Sequence, residues 1–168
     1  MNVFVDTSAF YALADEGDHN HRRARTAYGE LTQERLVTTD HVLVECWFLI
    51  GSRLEREAAI EFWDALRAGI VRIAEVTGRG LDRARETVEC FPGQTLSLVD
   101  ATGFAVTERE GIERAFVFDA RFRVHRFGRN DERRSSTLPE KRTQKASDAM
   151  KKTCLVAECC LSAARGGC

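Results

Sequence analysis

The 168-residue sequence predicts an α/β domain, with a central, mostly parallel sheet of four to five strands covered by helices on both faces. Along residues 1–129, short apolar runs alternate with amphipathic segments, the order that builds parallel strands joined by crossover helices. Two of those runs, Val3-Phe4-Val5-Asp6 and Ala115-Phe116-Val117-Phe118-Asp119, are rich in β-branched and aromatic residues and end in a carboxylate. Such runs have the composition of strands buried on both faces. In an open α/β sheet, ligands bind beyond the carboxyl ends of the strands, so those two acids mark where chemistry is expected.

Taken in order, the first strand leads into a short helix from Ser8 to Asp15, closed by Asp15-Glu16-Gly17-Asp18. Ala24, Ala27, Tyr28 and Leu31 then recur at helical spacing among Arg and His. His19 and His21 sit at the polar start of that helix and are expected to face solvent, since no third metal ligand accompanies them. Leu36-Val37-Thr38-Thr39 forms the second strand, and Asp40 is expected to cap the helix His41–Gly51. Glu45 is the odd residue of that helix, a charge inside an apolar run, where it either occupies a wet side or points into a polar cleft. Leu54 to Ala68 is amphipathic, with Ile60, Trp63 and Leu66 on the expected core face. Ile70 to Val76 is a third strand, Arg79 to Cys90 a mostly polar helix, and Phe91-Pro92-Gly93 a break. Leu96 to Glu110 follows as a helix in which Ser97 and Asp100 have the spacing of a capping box. After the Ala115 strand, Ala120 to Gly128 alternates basic with apolar residues and is expected to supply a short edge strand.

Beyond residue 129 the texture changes. Residues 132–137 and 140–145 are polar, free of aromatics and without apolar periodicity, a composition that favours disorder. A weak helix is expected around Leu155, Val156, Ala157 and Leu161. The domain is therefore placed at residues 1–129, with 130–168 as an extension.

Composition excludes more than it identifies. The net charge is −1, with 21 acids against 17 Lys and Arg in residues 1–129 and 5 against 8 afterwards. Neither part is basic enough to announce nucleic-acid binding by charge alone. No apolar run approaches a membrane-spanning length, and Asp6 interrupts the region where a signal peptide would be apolar, so a cytoplasmic protein is expected. Cys46 and Cys90 read as small core residues of a reducing compartment. Cys154, Cys159, Cys160 and Cys168 lack the paired spacing of a zinc site.

Four acids remain to be explained. Asp6 and Asp119 are expected at the same edge of neighbouring strands, Asp100 at the start of a helix beside them, and Glu45 in the first turns after strand two. The competing reading makes Asp6 and Asp100 helix caps, and the two roles are compatible. Four carboxylates converging with no Lys or Arg between them would repel one another. A hard divalent cation relieves that repulsion, and Mg²⁺ or Mn²⁺ takes oxygen ligands and bridges to substrate phosphate. That arrangement suits metal-assisted hydrolysis of a phosphodiester. No Ser–His–Asp set and no Gly-rich phosphate loop competes with it. His41 and His125 stand by as acid–base helpers, with exposed or capping roles the simpler expectation.

Val5-Asp6-Thr7-Ser8, Val44-Glu45, Ser97-Leu98-Val99-Asp100-Ala101 and Phe118-Asp119-Ala120-Arg121-Phe122, in that order, resemble the PIN-domain ribonucleases, and among them the VapC-type toxins of toxin–antitoxin pairs. The resemblance spans about residues 1–129. It implies the three-layer α/β/α PIN-like fold and a Mg²⁺ site made by Asp6, Glu45, Asp100 and Asp119, with the Thr7 or Ser8 hydroxyl in support. It further implies an endonuclease acting on structured RNA, a homodimer, and a small cognate antitoxin lying across the active-site groove. Arg121 and Arg123 are expected to contact phosphate near the site. The extension after Asn130 departs from the family pattern. Two other readings are an aspartate-based phosphotransfer enzyme and a non-catalytic module with the same fold. Haloacid-dehalogenase-like phosphatases want a second Asp where Ser8 stands, and receiver domains want a Lys at a later strand end that this chain does not supply.

Overall fold

The apolar runs pair side by side. In the computed structural model, which describes residues 1–119 and the backbone of Leu155–Glu158, five strands form one sheet. The elements are β1 (Asn2–Val5), α1 (Thr7–Ala14), α2 (His21–Glu30), β2 (Arg35–Thr39), α3 (Asp40–Arg53) and α4 (Arg56–Arg67). They continue as β3 (Arg72–Ala74), α5 (Gly78–Cys90), α6 (Leu98–Arg109), β4 (Arg114–Val117) and β5 (Leu155–Glu158). The strand order is β3-β2-β1-β4-β5, and the first four are parallel. The predicted α/β architecture is the one observed.

Val3, Phe4 and Val5 are fully buried, and β1 is flanked on both sides, with Phe4 opposite Val37 on β2 and Ala115 on β4. A central parallel strand needs an uninterrupted apolar run, because helices cover both of its faces. The chain moves outward from β1 through β2 to β3, then crosses back to lay β4 on the other side of β1. Strand order therefore reverses between β1 and β4, which opens a crevice at their carboxyl ends. Gly69 and Gly111 follow α4 and α6 with positive φ of 82° and 62°, the left-handed geometry that stops a helix with little strain only at glycine.

Several local expectations change. Thr39, not Asp40, caps α3, its hydroxyl accepting from the Val42 N–H at 3.1 Å. Asp40 falls in the first turn, where its carboxylate accepts from His41 N–H at 3.0 Å and from Val76 N–H at 3.1 Å, tying α3 to the segment after β3. The third strand is three residues long, with Ile70 and Ile73 partly open at the sheet edge. Trp63 is 47% exposed and packs edge-on against Trp47 at 5.2 Å, because α4 turns Ala59, Phe62 and Leu66 inward instead. Cys46 is buried as expected, whereas Cys90 is exposed near the end of α5. Leu155–Glu158, read from sequence as weakly helical, pairs antiparallel with β4, meeting the hydrogen-bonding groups that β4 would otherwise present at an open edge. The expected edge strand from Ala120 to Gly128, with Arg121, Arg123 and His125, lies outside the described residues.

The sheet core sets a clear stability prediction. Phe4→Ala removes a fully buried ring from the central strand and should cost about 3–5 kcal/mol. Val44→Ser, on the open face of α3, should change stability by less than about 0.5 kcal/mol. Urea unfolding midpoints at unchanged slope test both.

Candidate active site

Asp6 follows β1 directly, and its N–H donates to the Phe116 carbonyl at 3.2 Å, extending the β1–β4 pairing by one residue. It also caps α1, since its Oδ2 accepts from the Ser8 N–H at 3.0 Å and the Ser8 hydroxyl at 2.7 Å. Only 4% of its surface is exposed. Burial pushes its pKa up to about 6, against the lowering effect of the Ser8 hydrogen bonds and with a further push from the charge of Asp100.

Ser8 does a second thing. Its hydroxyl oxygen accepts from the Phe118 N–H at 3.0 Å and the Asp119 N–H at 3.3 Å, pinning the chain just after β4 against the start of α1. The Thr7 hydroxyl donates to the Glu45 carboxylate, which joins α1 to α3. Both hydroxyls thus engage acids or the backbone that carries them. Asp100 closes the capping box of α6, accepting from Ser97 N–H at 2.8 Å while its own N–H donates to the Ser97 hydroxyl at 3.0 Å. It is 5% exposed, although it heads a helix buried almost throughout.

Asp6, Glu45, Asp100 and Asp119 line one open cleft of about 430 Å³ at the carboxyl edge of the sheet. Among the described residues, no three acidic, histidine or cysteine side chains close into a ready-made ion cage. Ser8, Thr7 and Ser97 hold three of the four acids by hydrogen bonds, and like charges have no reason to converge further. Sequence reasoning expected no Arg or Lys among the acids. One Arg is there: Arg53, at the end of α3, shares the cleft wall with Tyr11 and Leu49. Asp18, His19 and Asn20, in the turn before α2, also line the cleft. The spacing Glu45, Leu49, Arg53 is the signal that would have found Arg53, because residues four apart share a helix face.

The histidines divide by role. His19 lies at the rim of the cleft, 3.7 Å from Asp18. His21 Nδ1 meets the Ala12 carbonyl at 2.9 Å and ties α2 to α1. His41 Nδ1 lies 3.1 Å from the Thr102 hydroxyl, bridging α3 to α6 outside the cleft lining. Beside Glu45, burial drives the Cys46 thiol well above its ordinary pKa, so it packs as an uncharged core group.

The family model of the PIN domain matches residues 3–128. The chain belongs to the PIN-domain family. Over 120 residues it is 34% identical to the 23S rRNA-specific endonuclease VapC20 of Mycobacterium tuberculosis, an overlap covering 71% of this chain and 91% of that protein. The crystal structure of VapC20, described there as a sarcin-ricin loop cleaving toxin, superposes with a TM-score of 0.70 at 32% identity, over 73% of this chain and 94% of that one. Two more distant likenesses bear on the fold alone. VapBC2 of Rickettsia felis bound to a promoter DNA fragment has a TM-score of 0.58 at 12% identity, covering 74% of this chain and 92% of that one. DNA-bound VapBC of Salmonella typhimurium has 0.51 at 11%, covering 66% and 83%.

Asp6 makes this PIN domain pH-dependent in a definite direction. Its folded pKa of about 6 lies above its ordinary value of 3.8, so between those values the folded state binds the proton more tightly. Its contribution to stability is therefore fullest below about pH 4 and falls as pH rises through 6, on the order of 3 kcal/mol in all. Asp6→Asn keeps a capping side chain and should lose that component. Thermal melts at pH 5 and pH 7.5 should show a smaller decline for the variant than for the wild type.

Proposed function

We propose that this PIN domain is a Mg²⁺-dependent endoribonuclease and the toxin of a type II toxin–antitoxin pair. The observation that carries the reading is the lining of a single cleft by Asp6, Glu45, Asp100 and Asp119, two of them almost fully buried. An all-oxygen donor set of this kind fits Mg²⁺, with Mn²⁺ as an alternative, and Mg²⁺ retains several waters, so one or two carboxylates suffice as direct ligands. The raised pKa of Asp6 supports the same fit, since a bound cation stabilises the ionised form that burial disfavours. The chemistry such an ion supplies is activation of water and neutralisation of charge on the leaving oxygen.

The chain's own residues organise that cleft. Asp6 and Asp100 present carboxylates from rigid helix starts, so little reorganisation is needed at reaction. Thr7 orients Glu45, and Ser8 fixes the backbone that carries Asp119. Similarity to VapC20, named as a 23S rRNA-specific endonuclease and as a toxin, supports RNA as the substrate. A cognate antitoxin as partner, a homodimer and a cytoplasmic setting belong to the same proposal as expectations of the toxin reading. Among the described residues no helix is long and apolar enough to cross a membrane.

Asp6→Asn and Asp100→Asn should each lower Mg²⁺-dependent cleavage of a 23S ribosomal RNA transcript by roughly a thousandfold, the size of several kcal/mol of lost charge stabilisation. Mg²⁺ should raise the melting temperature of the wild type and leave that of Asp6→Asn almost unmoved. Wild-type cleavage rates in both variants would sink the assignment, and turnover of small phosphomonoesters without RNA cleavage would favour a phosphatase.

A further inference from the structure

We propose that Arg53 is a substrate-binding residue that holds an RNA phosphate next to the one being cut, and that Tyr11 is the residue that positions it. The inference rests on the nuclease reading above and adds a subsite to it.

Glu45, Leu49 and Arg53 occupy one face of α3 at successive turns, and all three line the cleft. Eight residues along a helix correspond to about 12 Å of rise, so the backbone of Arg53 stands two turns from that of Glu45, and its side chain enters the cleft from the far end of α3. A polyanion entering a cleft lined by five carboxylates needs a cation for the part of its backbone that does not sit among the four acids. Arg53 is the one Arg lining the cleft among the described residues.

Its partners leave its charge unneutralised. Arg72, Arg83, Arg85, Arg109 and Arg114 are each paired with a carboxylate. Among the described residues Arg53 forms no ion pair. Its guanidinium lies 5.6 Å from the centre of the Tyr11 ring and interacts with the ring's hydroxyl. That hydroxyl donates to Asp15 at 2.9 Å, which fixes the ring one turn beyond Asp6 and Thr7 on α1. An Arg lying over an aromatic face, with one donor turned to the ring's hydroxyl, keeps its remaining N–H donors for a ligand, and phosphate is the ligand whose geometry they match. The competing role, a cation that merely complements the C-terminal dipole of α3, predicts a small stability effect and no effect on RNA.

Steady-state cleavage of a 23S ribosomal RNA transcript by the full chain in Mg²⁺ separates the two. Arg53→Ala should raise KM roughly tenfold, leave kcat within about twofold, and flatten the dependence of log kcat/KM on log salt by about 0.7–1. Arg53→Lys should keep the wild-type salt slope with an intermediate KM. Tyr11→Leu should raise KM and Tyr11→Phe should restore most of it. Unchanged KM and salt slope in Arg53→Ala, or a loss confined to kcat, overturns the subsite while the nuclease reading stands. A wild-type protein that cuts no RNA overturns both.

Discussion

The constraint on which the rest depends is the burial of one carboxylate. Asp6 sits at the junction where β1 gives way to α1 and where β4 lies alongside. Its backbone extends the sheet and its side chain begins a helix, so the fold requires a small polar acceptor at this position. An Asn would satisfy that requirement. A carboxylate does so while accepting the desolvation that lifts its pKa to about 6. Among residues that can cap, the charged one is the less comfortable choice in isolation. It becomes the better choice once a cation is part of the working state.

Around that acid, two adjacent hydroxyls convert loop geometry into site geometry. Thr7 reaches to α3 and Ser8 to the end of β4, so a single turn at the start of α1 is hydrogen-bonded to the carriers of Glu45 and Asp119. Asp100 is fixed separately by its capping box. Helix capping and ligand presentation are therefore one arrangement here. The cap holds the side chain at the helix start, and the helix start is at the crevice that the reversal of strand order opens.

Much of this was legible from the chain. Buried parallel strands need continuous apolar runs, and Val3-Phe4-Val5 and Ala115-Phe116-Val117 can be little else. Acids placed at the ends of those runs, or at capping spacing as in Ser97–Asp100, declare their location because the elements that carry them do. What stayed hidden depended on which side of a helix faces which neighbour. Trp63 has the composition of a core residue, yet the core face of α4 is Ala59, Phe62 and Leu66, and nothing local distinguishes the two. Val44 and Phe48 lie 67% and 72% exposed on a helix whose sequence reads as apolar all round. Leu155–Glu158 took a partner, β4, that lies some forty residues back in the sequence, a pairing that no short-range pattern encodes.

The same logic explains why Arg53 escaped notice and why it belongs to the cleft. A helix that must bury Val42, Cys46 and Ile50 against the sheet necessarily turns the residues one step earlier, Glu45 and Leu49, toward the adjoining edge. That stripe continues to Arg53 at the point where the helix ends and a long side chain can bend over its neighbour. Tyr11 arrives there from α1, the helix that Asp6 caps, so the acid end and the basic end of the cleft are fixed by the same pair of packed helices. Any change in how α1 rests on α3 would move the Thr7–Glu45 contact and the Tyr11–Arg53 contact together. The cleft is thus built as a unit in which Glu45 and Arg53 keep their spacing because two helices, rather than a loop, set it.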